Sequence, residues 1–173
     1  RQTVGVDFRG RFLLDIEPLA KGIEEKWRMG RGDDARARGG VFLSYSRTDH
    51  EQVSGLGREL EVGGHRVWWD GDETDLPPGT YWQDQIREAI HRSYAFIWCL
   101  SEISVMRSQS WMYPEVLEAI KIQQTLHPSR VFIIPVRLSE CDVPDLRIDA
   151  VRNLNDLQRF DYFARRTNLA GLG

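Results

Sequence analysis

Glu115 closes the run Trp111-Met112-Tyr113-Pro114-Glu115, and its carboxylate is the group in this chain best placed to do chemistry on a sugar. A helix brings residues four apart onto one face, so Trp111 and Glu115 can line one wall of a cleft. Ser108, Gln109 and Ser110 add polar groups just ahead of them. A carboxylate backed by an aromatic ring and flanked by hydroxyls can hold a sugar and offset positive charge. The plainer alternative is a solvated first-turn glutamate, favoured there by the helix dipole. Other reactive side chains are scattered. Cys99 sits inside the apolar run 94–100, Cys141 in a polar loop, and His50, His65, His91 and His127 are far apart in sequence. None has a partner at metal-ligand spacing, so no metal site is read. Asp70-Gly71-Asp72-Glu73-Thr74-Asp75 invites a calcium reading, but Tyr81 falls where the loop's bidentate glutamate belongs; a solvated loop is the better description.

The elements that must position Glu115 follow from an alternation of apolar runs and helical patterns. Val41–Tyr45 reads as a strand. Asp49 can cap a helix running to Val62, with Val53, Leu56 and Leu60 on one face and Gly63-Gly64 as its stop. His65–Trp69 is a second strand, and Asp70–Thr80 an acidic loop carrying Pro77-Pro78-Gly79. Tyr81–Arg92 is a helix whose inner face is Trp82, Ile86, Ala89 and Ile90. Tyr94–Leu100 is a third strand, apolar throughout, as strands covered on both faces are. Helix 115–124, strand 131–136 and a last strand within 157–162 complete the series. Such alternation predicts a parallel sheet with helices on both faces. Ligands of such sheets sit at the carboxyl ends of the strands, where strand order reverses; Ser44-Tyr45-Ser46 and Ser101–Ser104 fall at those ends. Gly55-Leu56-Gly57 lies inside a helical pattern and lacks the third glycine of a dinucleotide fingerprint.

Residues 1–38 differ in character. Val4, Val6 and Phe8 alternate like a strand that Phe12–Ile16 could continue, and 19–29 suits a short helix. Residues 30–40 form a charged, glycine-rich linker whose Arg31-Gly32-Asp33 tripeptide is read as coincidence. The segment is expected to be the tail of a preceding domain or a strap packed through Phe8, Phe12, Leu13 and Trp27. The main domain is expected at 39–165, with a tail at 166–173. The chain opens at Arg1 rather than Met, so a piece of a longer protein is expected. Of 173 residues, 41% are hydrophobic and 28% charged, with a net charge of −3, and the pI is near 5.8. These values describe an ordinary globular protein and leave no basic footprint for nucleic acid. No apolar run approaches the roughly 18 residues of a membrane span, and no signal peptide is read at the start.

Five blocks, taken in order, resemble the Toll/interleukin-1 receptor (TIR) domain family over about residues 40–163. They are Val41-Phe42-Leu43-Ser44-Tyr45-Ser46 with Asp49; Gly64-His65-Arg66-Val67-Trp68-Trp69-Asp70 with Pro78-Gly79 and Trp82; Ile86, Ala89-Ile90 and Ser93; Ser110-Trp111 to Glu115; and Ile134-Pro135-Val136 with Cys141 and Pro144. The resemblance implies a flavodoxin-like five-stranded parallel sheet with helices on both faces. It also implies a choice between scaffolds, which signal by homotypic assembly, and enzymes, which cleave NAD+ at the nicotinamide–ribose bond and release linear or cyclised ADP-ribose. Glu115 stands where the family's enzymes carry their catalytic glutamate, so the enzyme branch is expected, with a non-catalytic adaptor as the alternative. Substrate-binding walls are expected from Ser44, Tyr45, Ser46, Trp69, Asp70, Gly79, Trp82, Ser104 and Trp111. Trp82, at helical spacing from Ile86, suits the core equally well. NAD+ is expected as substrate, with no cofactor. Self-assembly, an attached sensor domain, a cytoplasmic setting and an immune or antiphage effector role belong to the same expectation, as does a gating role for the Asp70–Thr80 loop. Neither a nucleic-acid partner nor a membrane span is expected.

Overall fold

The structure is a computed structural model that describes residues 16–25, 39–69, 81–107 and 113–163. Its strands are β1 (Val41–Ser44), β2 (Val67–Trp69), β3 (Ala95–Leu100), β4 (Ile133–Arg137) and β5 (Phe160–Asp161). They pair in the order β2-β1-β3-β4-β5, every pair parallel. Parallel neighbours need long crossovers, and helices supply them: α2 (His50–Val62), α3 (Trp82–Arg92), the short α4 (Glu102–Met106) and α5 (Tyr113–Thr125). Residues 16–25, here α1, are also helical. The chain moves outward from β1 to β2 and then returns past β1 to β3, so strand order reverses between β1 and β3. That flavodoxin-like switch point is where the carboxyl ends of β1 and β3 open a crevice.

Every residue of β1 and β3 is buried, and side-chain alternation divides the core in two. Val41, Leu43, Tyr45, Ala95, Ile97 and Cys99 share one cluster with Val53, Leu56 and Leu60 of α2. Phe42, Phe96, Trp98 and Leu100 share the other with Ile90 of α3 and Val116, Ala119 and Ile120 of α5. Phe42 and Phe96 stack with centroids 5.5 Å apart. Ser44, two residues after Phe42, therefore belongs to the α5 face.

Local sequence explains where helices stop and lean. Past the end of α2, Gly64 takes φ +87°, a conformation that only glycine adopts at no steric cost. There the His65 N–H donates to the Leu60 carbonyl at 3.0 Å and the Gly64 N–H to the Glu61 carbonyl at 2.9 Å, the double bond of a Schellman stop. At Gly57 a Cβ would lie 2.1 Å from the Trp69 ring. The glycine leaves the helix face bare so that this indole can lie on it.

Two expectations change. Ile16 begins a helix instead of ending a strand, and Ile16, Leu19 and Ile23, 0–3% exposed, belong to the core cluster on the α2 face. Spacings of three and four make them one stripe, so part of the expected extension is built into the main core. Val4, Val6, Phe8, Phe12, Leu13, Trp27 and the linker lie outside the described residues. Asp49, expected to cap α2, makes no side-chain capping bond; its carboxylate accepts from Ser101 instead.

Candidate functional site

Glu115 is the third residue of α5, behind Tyr113 and Pro114. Proline is tolerated there because first-turn amides have no intrahelical acceptor to lose. The first turn also places the carboxylate at the positive end of the helix dipole. Packing of Val116, Ala119 and Ile120 on the sheet holds α5 so that Glu115 meets the carboxyl end of β1. Ser44, fully buried, donates its hydroxyl to Glu115 Oε2 at 2.8 Å, across 71 residues of sequence. Glu115 is 8% exposed. A carboxylate this withdrawn from water acts on charge in a low effective dielectric, where its field is stronger than in solvent. The pair sits beside the switch point between β1 and β3.

A second buried carboxylate lies across the sheet. Asp49, 7% exposed, accepts the Ser101 hydroxyl at 2.8 Å. Ser101 follows β3 and caps α4: its Oγ accepts from the Ser104 N–H at 3.1 Å, while Ser104 Oγ accepts from the Ser101 N–H at 2.8 Å. Burial pushes the Asp49 carboxyl above its ordinary value, and the bond from Ser101 pulls partly back. Burial, with the nearby Asp49 charge, also drives the Cys99 thiol far upward, which makes it an inert core residue. Cys141 is raised too, chiefly by burial. Arg137 grips Asp161 with two bonds of 2.6 and 2.8 Å, fastening β4 to β5 and holding the Asp161 carboxyl below the usual range.

Of the residues expected to form walls, Ser44 alone is bonded to Glu115 among those described. Tyr45 turns to the opposite face, with its hydroxyl 3.2 Å from His50 Nδ1 and its ring edge-on to Trp69 at 6.4 Å. Trp69 packs against the same cluster. Both aromatics thus lie across the sheet from the Glu115 carboxylate. Ser46 bonds the Thr48 hydroxyl, and Ser104 belongs to the Asp49–Ser101 network. Trp82 opens α3 half-buried and lies in neither core cluster. Asp70, Gly79 and Trp111 lie outside the described residues, as does the whole of the Asp70–Thr80 loop. Sequence reasoning missed Asp49 as a buried carboxylate, because its helix-cap position explained it too easily. Trp98 is hidden in a run that reads only as apolar; its even spacing from Phe96 signals the face it shares, and the register that sets it beside Ser44 is visible only in the fold.

Among the described residues no three His, Cys, Asp or Glu gather to hold a metal, and no helix is long and apolar enough to cross a membrane. Chemically, the Ser44–Glu115 pair offers an acceptor-only carboxylate steadied by one hydroxyl, suited to a polyhydroxylated, positively charged group. A family model described as TIR domain matches residues 41–172. Among solved structures, the TIR domain of the Toll-related receptor TRR-2 of Hydra magnipapillata is 21% identical, with a TM-score of 0.53, covering 75% of this chain and 89% of that one; the likeness is one of fold. A metazoan TIR-STING receptor from C. gigas is 24% identical with a TM-score of 0.43, covering 57% of this chain and 30% of that receptor's length. No curated protein matches.

Proposed function

The chain belongs to the TIR domain family, and from that premise we propose that it cleaves NAD+ at the nicotinamide–ribose bond with Glu115 as the catalytic carboxylate. The observation that carries the reading is the buried 2.8 Å bond from Ser44 to Glu115 at the carboxyl edge of the sheet. Nicotinamide departs from a cationic ring as a neutral molecule, taking the bonding electron pair, so no general acid is required. The ribose left behind acquires oxocarbenium character, the charge build-up of glycoside cleavage. An ionised Glu115 offsets that charge and accepts from ribose hydroxyls, while Ser44 fixes the carboxylate's orientation. Water then adds to the anomeric carbon and loses a proton, giving ADP-ribose; attack by a ring nitrogen of the adenine gives a cyclic product instead.

Activity rising on self-assembly, an attached sensor, a cytoplasmic setting and an immune effector role complete the reading. A head-to-tail contact between copies can propagate, and a copy that favours the open state of the Asp70–Thr80 loop raises activity by its differential affinity for that state. The test is incubation of the protein with NAD+ from nanomolar to high micromolar enzyme, with chromatographic analysis of nicotinamide and ADP-ribose products. Nicotinamide release by the wild type, absent in Glu115→Gln, supports the reading. No release at any concentration, with self-association intact, leaves a non-catalytic adaptor.

A further inference from the structure

Trp98 carries a polar atom that the fold leaves unused. The residue is 3% exposed, and its indole Nε1 is buried with no hydrogen-bond partner among the described residues. An unmatched buried N–H destabilises a protein relative to an apolar ring of similar shape, so each such group asks for an explanation. Trp68 Nε1 is also unmatched among the described residues, but its ring is half-buried, lies against the Gly40 backbone and carries the Arg66 guanidinium over it at 4.5 Å. Trp68 pairs in register with Phe42, back from the carboxyl edge. Trp98 pairs in register with Ser44 itself. Register partners on adjacent strands share a face, with the strands themselves about 5 Å apart. Ser44, which donates to Glu115, and Trp98 are therefore neighbours on the sheet face that α5 covers.

We propose that Trp98 is a specificity-determining residue of the Glu115 site, its indole N–H donating to a sugar hydroxyl that in turn donates to the Glu115 carboxylate. The proposal rests on the reading of Glu115 as the residue that meets ribose. Its chemistry follows from what each group can donate or accept. An ionised carboxylate only accepts, and an indole N–H only donates. A hydroxyl does both at one oxygen, so it can satisfy the pair together, whereas a carbonyl oxygen satisfies the indole alone and an ammonium the carboxylate alone. The site is thereby biased towards a ribose and against a deoxy analogue. The energetic cost of the unmatched donor is carried by the empty protein and relieved on binding. Phenylalanine at position 98 keeps an aromatic ring and removes the donor.

The experiment uses the full chain, uniformly labelled with nitrogen-15, in wild-type and Trp98→Phe forms. The variant identifies the Trp98 indole resonance by its disappearance. Titration of the wild type with ADP-ribose is expected to shift that resonance downfield, as a new acceptor does. Nicotinamide alone is expected to leave it in place. In turnover assays the variant's KM for NAD+ is expected to rise about tenfold, the worth of one hydrogen bond, with a smaller change in kcat. Its melting temperature is expected to equal or exceed that of the wild type, which purely structural packing would not give. A Trp98 resonance unmoved by saturating ADP-ribose, no binding of ADP-ribose at all, or an unchanged KM in a folded variant would each overturn the proposal. A resonance that shifts in a protein that releases no nicotinamide keeps the sugar contact and removes only the NAD+-cleaving reading.

Discussion

Glu115 and Asp49 are built from the same parts. Each is a carboxylate under 10% exposed, beside a helix N-terminus, accepting one serine hydroxyl at 2.8 Å from the end of a central strand. They differ in what surrounds the serine. Ser101 is locked in a reciprocal capping box with Ser104, so the donors and acceptors around Asp49 are consumed by the protein itself. Ser44 ends β1 beside a tryptophan whose N–H has no acceptor among the described residues. One network is closed; on our proposal the other has an indole donor to spare, through which a ligand is recruited. Burial of a carboxylate is therefore not by itself the mark of a site; the unfinished hydrogen bonding next to it is.

The comparison breaks first, if it breaks, on amide substitution. Glu115→Gln removes the charge and keeps the shape, and NAD+ cleavage is expected to fall by at least about 10²–10³, the usual cost of one electrostatic stabiliser. Asp49→Asn is expected to leave turnover at the wild-type level. Comparable losses in both, with circular dichroism unchanged, would make the two carboxylates functional equals.

A second contrast sets damage to the core on Asp49's face against damage at the site. Ile23 is fully buried, and Ile23→Ala is expected to destabilise the protein by about 2 kcal/mol or more. Turnover per folded molecule is expected to stay unchanged. A chain beginning at Gly39 should lose still more stability, since Ile16 and Leu19 leave with it. Denaturant midpoints measure both. A shortened chain as stable as the full one would show that α1 contributes nothing to this face.

Much of this architecture is legible in the sequence. The apolar strands and the Gly63-Gly64 stop follow from periodicity and glycine chemistry, but strand order came from the family resemblance, because periodicity does not say which strands are neighbours. The Ser44–Glu115 meeting rested on the rule for carboxyl edges of parallel sheets. Tyr45 and Trp69 lie across the sheet from that meeting because adjacent strand residues point to opposite faces: placing Ser44 beside Glu115 already sends Tyr45 away. Helix α4, five residues long, is too short to show a period. The stripe of Ile16, Leu19 and Ile23 was read partly as strand because Phe12-Leu13-Leu14 precedes it without a break in apolar character. Trp98 needed both parity and register to be noticed, and register is tertiary information.

Smaller effects separate the serines. Ser44→Ala removes a hydrogen bond to a charged group, worth about 1.5–3 kcal/mol, and is expected to lower kcat by about tenfold or more with a modest loss of stability. Ser101→Ala is expected to do the reverse: it removes the bond to Asp49 and one half of the capping box, costing about 1–2 kcal/mol of stability and little turnover. Thermal melts and initial rates on the same preparations decide it.

The smallest expected effect is the most specific to Asp49. Its folded carboxyl titrates above 3.8, because desolvation outweighs the Ser101 bond. Between 3.8 and that higher value the folded protein holds more of this proton than the unfolded chain does, so this group's contribution to stability falls as pH rises through the window. Above the window the buried charge is a standing destabilisation. Asparagine cannot ionise and keeps an oxygen to accept from Ser101. Asp49→Asn is therefore expected to be at least as stable as the wild type at neutral pH and to lack this downward slope. Asp161 and Glu118, whose carboxyls are lowered by Arg137 and by His91 and Lys121, contribute slopes of the opposite sign to both proteins. The quantity to measure is accordingly the difference in unfolding free energy between wild type and Asp49→Asn, by urea titration from pH 4 to pH 8. A difference that moves in the wild type's favour as pH rises would mean that the Ser101 hydroxyl more than offsets burial, and that the fold stabilises Asp49 in its charged form.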